Sequence, residues 1–569
     1  MKNIIILGNG LAGLSAAISC AEAVQAAQAD IQVQLYSSNP PERSQSVMAE
    51  GGINAALDYH GEQDSPAQHA ADTLGAGCDL ADPLAVAGLC QAAPHLIHWL
   101  DGLGVVFNRD AQGRVEQRYF GGQKKMRTAY ANAGVGKQLM AALSRRSRQL
   151  EAQGLLHSRT DLRFVSVIPD REGSCCGLIL RETGSGQLLA CPAQAVIMAQ
   201  GGPGGLFGNN TGSLLSDGTA TAGLFSQGVE LANLEMLQFH PTTVAGPGKR
   251  LLISEAARGE GGRLFTYKQG RPWYFMEEWF PEGGNLMPRD VVSRSIFKVC
   301  RQLGLGVEGR DQVLLDLSFL PRETLEGRLG EICRTCRTFL GLDPALQPIP
   351  VWPGLHYFMG GIHVDIRHQT SMPRLLAAGE AACQYHGANR LGGNSTLGAI
   401  YGGRVAAATA VELTLASPSW GGGQDPAPGE LARQQALLAG FGAKGPRAAG
   451  LLPRLQAVMN EHMALVRDEE LLQSGLARLE ELQERAADLR GGEEAAEALE
   501  FNRLLLLGRA MLLSAQERRE SRGGHQRSDY PQRDDEHCRR TLIARCSGGK
   551  GKERRISLEW RQIGGGAWK

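Results

Sequence analysis

No apolar run in this chain reaches the roughly 18 residues that suggest a membrane span, so at a membrane other subunits would have to hold it there. Net charge is missing too. The 59 Lys and Arg balance the 59 Asp and Glu, and no global field favours nucleic acid or an anionic surface. The 12 cysteines are scattered. The one CxxC, Cys333 to Cys336, is followed by Arg337 instead of the histidine of a haem attachment motif, and no second CxxC completes a zinc site. We therefore expect no metal, no iron–sulfur or haem group held by this chain, and an incidental Cys333–Cys336 pair on a helix surface. Lys2 before an apolar run could pass for a secretory signal, but the glycines that follow keep a nucleotide-binding register and the pattern runs into a second strand. The expectation is a cytoplasmic protein with reduced thiols.

Glycine is plentiful. Its 74 residues in a chain of 569 suit repeated contacts between backbone and cofactor, spread over two to four domains of about 100–200 residues each. Ile4-Ile5-Ile6-Leu7 reads as a buried strand, and Gly8-Asn9-Gly10-Leu11-Ala12-Gly13 follows it directly, before an Ala-rich helical stretch from Leu14 to Ala27. This is GxGxxG in its strand-turn-helix setting, where the helix N-terminus receives a pyrophosphate. The second strand, Ile31 to Leu35, ends in Tyr36-Ser37-Ser38 without the usual acidic ribose ligand. Ribose recognition must then use hydroxyls, such as that of Ser37, or another segment.

Further segments look built to touch the same ligand. Arg43 to Gly52 sets the small or polar residues Ser44, Gln45, Ser46, Glu50, Gly51 and Gly52 where a flat ring could lie on backbone. The apolar strand Ala195 to Met198 leads to Gly201 and Gly202, and Asp217-Gly218 opens another helical segment. In His386-Gly387-Ala388-Asn389-Arg390-Leu391-Gly392-Gly393-Asn394-Ser395 a single arginine stands among glycines, a guanidinium fork that matches a carboxylate beside backbone free to approach a cofactor. Glu255 and Arg258 have i,i+3 spacing and share a helix face.

Seven ordered motifs carry a family resemblance: RSQSVMAEGGINAAL, LQFHPTT, EAARGEGG, PRDVVSR, LHYFMGGI, GEAACQYHGANRLGGNS and ESRGGHQRSDYPQRDD. The chain resembles the flavoprotein subunits of the succinate dehydrogenase/fumarate reductase family. That resemblance implies an α/β fold, with a Rossmann-type FAD-binding domain in two segments (residues 1–225 and 353–415). It also implies an inserted α+β capping domain (226–352), a C-terminal helical domain (430–546) and a tail (547–569). Trp420 to Gly429 reads as a linker. Met459 to Leu489 and Ala495 to Glu520 read as antiparallel helices, Leu504 to Leu507 as core, and Arg555 to Trp560 as one strand in a solvated end. Glu380, Ser395 and Leu397 join the residues assigned to FAD.

Reduction of an activated alkene needs a hydride on one carbon, a proton on the next, and stabilisation of the charge that develops on a carboxylate. The resemblance makes Arg289 the proton donor, with Glu255 and Arg258 as its relay. Ser254, His240, His356 and Arg390 become the donors for both carboxylates of a four-carbon dicarboxylate such as fumarate or succinate. Gln45 departs from the family pattern, since the corresponding histidine bonds to the flavin in covalently flavinylated members. FAD should then be non-covalent and a stronger reductant, favouring fumarate reduction. L-aspartate oxidase is the nearest alternative, sharing the fold and the charged residues. A non-catalytic flavin-binding electron-relay subunit is another, but it would leave Arg289, Glu255 and Arg258 without a purpose. The family precedent for the electron donor is a separate iron–sulfur subunit, with a membrane quinone-reactive subunit that would place the assembly on the inner face of the cell membrane.

Overall fold

The computed structural model describes residues 2–131, 134–417, 425–548 and 554–564. Residues 418–424, which include the first half of the expected linker, and the parts of the expected tail at 549–553 and 565–569, lie outside the described residues. Among the described residues no helix is long and apolar enough to cross a membrane, and no group of His, Cys, Asp or Glu could hold a metal ion.

Ile4, Ile5 and Ile6 are all fully buried, so the first strand must be covered on both faces. It lies at the centre of a five-stranded parallel sheet in the order Leu375–Ala377, Ala195–Met198, Lys2–Leu7, Ile31–Tyr36, Leu156–Arg159. The glycine turn after Leu7 feeds the helix Leu11–Ala26, which packs against the long helix Asn394–Ala416. A Cβ on Gly403 of the second helix would overlap the Ala12 carbonyl of the first. Residues far apart in the chain therefore build one nucleotide-binding layer. An antiparallel sheet of Leu162–Pro169, Cys175–Glu182 and Leu188–Pro192 is appended to it.

Between Ala195–Met198 and Leu375–Ala377 the chain leaves this layer and builds a six-stranded antiparallel sheet. Two of its strands, Leu237–Ala245 and Ile349–Phe358, cross from one core to another. Leu237, Leu355 and Phe358 pack with the nucleotide-binding side. Val244, Ile349 and Val351 pack with Ile253, Leu264, Val292 and Val313 in a separate core. The boundary expected at 352/353 falls inside the second of these strands. Cys333 and Cys336 belong to the separate core and are 1% and 0% exposed, so the expectation of a helix-surface pair is corrected. Arg334 and Arg337 carry the outer face of that segment instead.

The stretch from Met459 to Leu489 is two helices, Ala448–His462 and Glu469–Ala486, because Asp468 stops the pattern and caps the second by accepting from the Leu471 N–H at 2.9 Å. Ala495–Glu517 packs against both, with Leu504, Leu505 and Leu507 buried in the core. Arg555–Arg561 does form a strand. It pairs with Thr541–Ser547 at the edge of a five-stranded sheet, and Trp560 stacks on Arg518, so part of the expected solvated tail is docked.

Behind this sheet lies a buried ionic network. Arg518 donates to Glu235 at 2.5 Å and to Glu520 at 3.0 Å, and Arg522 donates to Glu520 at 2.8 Å, with all four side chains 0% exposed. Removing one member leaves the others charged and dry. Arg518→Ala should cost about 3–5 kcal/mol, read as a lower midpoint of urea unfolding, while Arg322→Ala at an exposed pair should change little.

Candidate active site

The site is organised around one carboxylate. Glu255 precedes the short helix Ala256–Gly259, whose turn brings Arg258 beside it, and Arg258 donates to Glu255 Oε1 at 3.0 Å. Pro288 starts the helix Arg289–Phe297, placing Arg289 where Nε and Nη2 both donate to Glu255 Oε2, at 3.0 and 2.7 Å. Glu255 and Arg258 side chains are fully buried and Arg289 is 6% exposed. Burial alone would raise the Glu255 carboxyl, but Arg289 and Arg258 hold it down at about 2. Glycine makes the space, since a Cβ on Gly121 or Gly392 would overlap the Glu255 carboxylate.

Arg289, Glu255, Ser254, His240, His356 and Arg390 line one cleft of about 320 Å³. Arg258 stands behind Glu255 and does not reach the wall. His240 and His356 come from the neighbouring strands Leu237–Ala245 and Ile349–Phe358, and their rings lie 5.2 Å apart. Burial and the positive charge of Arg289 keep both imidazoles neutral, well below the usual histidine range. Burial and Arg289 also lower Arg390, to about 9, while its guanidinium sits 4.4 Å from the Tyr357 ring centre. His240 Nε2 and Arg390 Nε are buried nitrogens with no partner among the described residues, and the second is always a donor. Such orphans are costly unless an anion completes them.

The same cleft continues along the nucleotide-binding turn. Its wall includes Gly8, Gly10, Leu11, Ala12, Ser37, Ser44, Gln45, Ser46, Glu50, Gly51, Gly52, Gly201, Asp217, Glu380 and Ser395. Three of the expected cofactor residues do not reach it. Gly13 packs against the Gly8 carbonyl, Gly202 against Glu380 and Phe358, and Leu397 lies in the core. Ser37, expected to replace the acidic ribose ligand, accepts from Asn9 Nδ2 at 2.7 Å. Ser44 Oγ is buried without a partner among the described residues, so the donor set fits a polar dinucleotide. Burial pushes Glu380 and Glu50 up to about 7.

Sequence reasoning missed several participants. Phe120 and Arg163 line the cleft; Arg163 pairs with Asp217 at 2.6 Å. Gln238 accepts from Arg289 at 3.0 Å and donates to the Arg390 carbonyl at 2.8 Å, tying the two arginines together. Its place two residues before His240 on the same strand was the only available signal.

The Glu255 shift has a consequence for stability. Its folded value lies below the unfolded one near 4.3, so its contribution is present above that value and is lost as pH falls towards 2. Glu255→Gln should destabilise the protein at pH 7 and flatten the loss of stability between about pH 4.3 and 2, measured as melting temperature against pH.

A family model described as FAD binding domain matches residues 3–396, and one described as fumarate reductase flavoprotein C-term matches residues 453–564. The chain is 40% identical to the succinate dehydrogenase flavoprotein subunit of Bacillus subtilis, over 96% of this chain and 94% of that one. It is 34% identical to the 8-methylmenaquinol:fumarate reductase flavoprotein subunit of Wolinella succinogenes, over 99% and 90%. Among solved structures, a variant of the E. coli quinol fumarate reductase FrdA chain superposes with a TM-score of 0.90 at 30% identity, covering 100% of this chain and 97% of that one. The dinucleotide turn, the Glu255 ion cluster and these matches place the chain in the succinate dehydrogenase/fumarate reductase family of flavoprotein subunits, as an FAD-dependent oxidoreductase.

Proposed function

We propose that the chain is the dicarboxylate-converting subunit of a fumarate reductase, acting chiefly in the reductive direction with non-covalent FAD. The observation that carries this reading is the placement of Arg289 at the cleft wall, hydrogen-bonded to a buried Glu255 that also holds Arg258. FAD, when bound, supplies the hydride. Residues 1–225 and 353–415 would hold it through the Gly8–Gly13 turn, the Ser44–Gly52 segment and Glu380, with residues 226–352 as the cap.

Arg289 gives its proton to the second alkene carbon. An arginine loses a proton only transiently, and the adjacent Glu255 and Arg258 provide the route by which it is restored. Arg390, His240, His356 and Ser254 present donors to the two carboxylates. Glu255 can compensate only one of the guanidinium charges of Arg258, Arg289 and Arg390, and the surplus suits a dianion. Gln45 lines the cleft and accepts from the Ser213 N–H, and it has no imidazole to bond a flavin. An unlinked flavin is the stronger reductant, which supports the reductive direction. Electrons would arrive from a separate iron–sulfur subunit, with a membrane quinone-reactive subunit as the anchor.

Acid or heat denaturation should release all flavin, leaving no in-gel fluorescence on the polypeptide. With reduced viologen, fumarate reduction should outpace succinate oxidation measured on the same preparation. Arg289→Lys should lower fumarate turnover by about 10²–10⁴-fold with FAD retained. Wild-type turnover in that variant would overturn the proton-donor role, and aspartate-dependent peroxide formation would favour an L-aspartate oxidase.

A further inference from the structure

His356 can help to bind a carboxylate only if the ring nitrogen facing the cleft carries a proton. Its neutrality, enforced by burial and by Arg289, leaves the imidazole a single N–H to place on one of two nitrogens. A carboxylate offers acceptors alone, so an unprotonated nitrogen facing it would repel it. Something must choose the tautomer.

We propose that Thr211 is a positioning residue that makes this choice, donating its hydroxyl proton to His356 Nδ1 and so keeping the imidazole proton on Nε2. Thr211 Oγ1 lies 2.7 Å from Nδ1, and Thr211 is 4% exposed. The hydroxyl makes no other hydrogen bond among the described residues, so Nδ1 is the acceptor open to its proton. The threonine itself cannot drift. Its backbone N–H donates to the Leu355 carbonyl at 3.0 Å, one residue from His356. Asn210 Oδ1 accepts from the Gly212 N–H at 2.7 Å, Asn210 Nδ2 donates to the Gly204 carbonyl at 2.8 Å, and Gln45 holds the Ser213 N–H. The loop that orients the histidine is thus tied to the segment that lines the flavin arm of the cleft.

His240 has no such device. Its Nδ1 lies 3.2 Å from the Thr242 carbonyl and 3.3 Å from the Thr242 N–H, and the Thr242 hydroxyl is already committed to the Ile253 carbonyl at 2.8 Å. The Thr242 hydroxyl also lies 3.4 Å from His240 Nδ1, but with its proton on the Ile253 carbonyl it can only accept there, so of the two cleft histidines His356 alone has a hydroxyl with a proton to give its Nδ1.

The inference rests on the dicarboxylate reading, and its test separates the two. Wild type, Thr211→Val, Thr211→Ser and His356→Ala, each purified with FAD, are compared for fumarate reduction by reduced viologen. Thr211→Val should raise KM for fumarate by about 3- to 10-fold, the worth of one neutral hydrogen bond. Its kcat should change less and its flavin content not at all, while Thr211→Ser should restore the wild-type KM. In ¹⁵N-histidine NMR, the signal absent from His356→Ala should show an unprotonated Nδ1 and a protonated Nε2 in the wild type, and a mixture in Thr211→Val. A protonated Nδ1 in the wild type would overturn the proposal. So would a Thr211→Val enzyme with wild-type KM where His356→Ala is impaired. Absence of dicarboxylate turnover in the wild type would sink the functional reading alone, since the NMR spectra still decide the tautomer.

Discussion

Everything in the cleft depends on keeping one carboxylate ionised where no water reaches it. Taking Glu255 and two arginines out of water carries a desolvation cost that mutual attraction offsets only when geometry is good and the remaining hydrogen bonds are made. Glu255 receives two bonds from Arg289 and one from Arg258, and Arg258 donates onward to the Asn285 carbonyl at 2.5 Å. The surrounding sequence is shaped by that cluster. Gly121 and Gly392 clear space for the carboxylate, and Gln238 joins Arg289 to the backbone of Arg390 without adding charge. The two cleft arginines therefore keep a fixed separation although they repel.

The parts of this arrangement that were legible in the sequence are local. A buried strand, a glycine turn and an Ala-rich helix follow one another within the first 27 residues, so the nucleotide-binding turn could be read without tertiary information. The glycines around Arg390 were legible as necessary, but the reason is partly different from backbone approach to a cofactor. Gly392 yields to Glu255 and Phe120, and Gly393, at φ +84°, to Asn54. Gln238 and Thr211 were not legible, because each acts by touching a residue more than a hundred positions away. The Cys333–Cys336 pair failed for a related reason: spacing gives a helix face, but only packing says whether that face is inside.

The ESRGGHQ segment, read at first only as a family marker, has a physical task. Gly523 and Gly524 press onto the backbone at Ala388 and Leu237, where any Cβ would overlap a carbonyl, and the Gly524 N–H donates to the Ala388 carbonyl at 2.7 Å. Ala388 lies two residues before Arg390, and Leu237 immediately precedes Gln238. The flanking Arg522 and His525 are buried and bonded to Glu520 and Arg467. The C-terminal network thus braces, from behind, the two stretches of chain that carry Gln238, His240 and Arg390.

That bracing fixes one side of the cleft, and the other side is built differently. Arg390 and its supports belong to the nucleotide-binding layer and the C-terminal network, whereas Ser254, Glu255 and Arg289 lie next to the separate core of the antiparallel sheet. His240 and His356 sit between, on the two strands that pass from one core to the other, where the pairing register shifts after His240. A ligand with one anionic end satisfies one side alone. A ligand with two carboxylates a short chain apart can engage Arg390 while it reaches the Ser254 and Arg289 side, and its binding energy then holds the two layers in register. On the proposed dicarboxylate reading, substrate length would be read by the spacing between two independently packed cores, and proton donation from Arg289 would be aligned only when both are engaged.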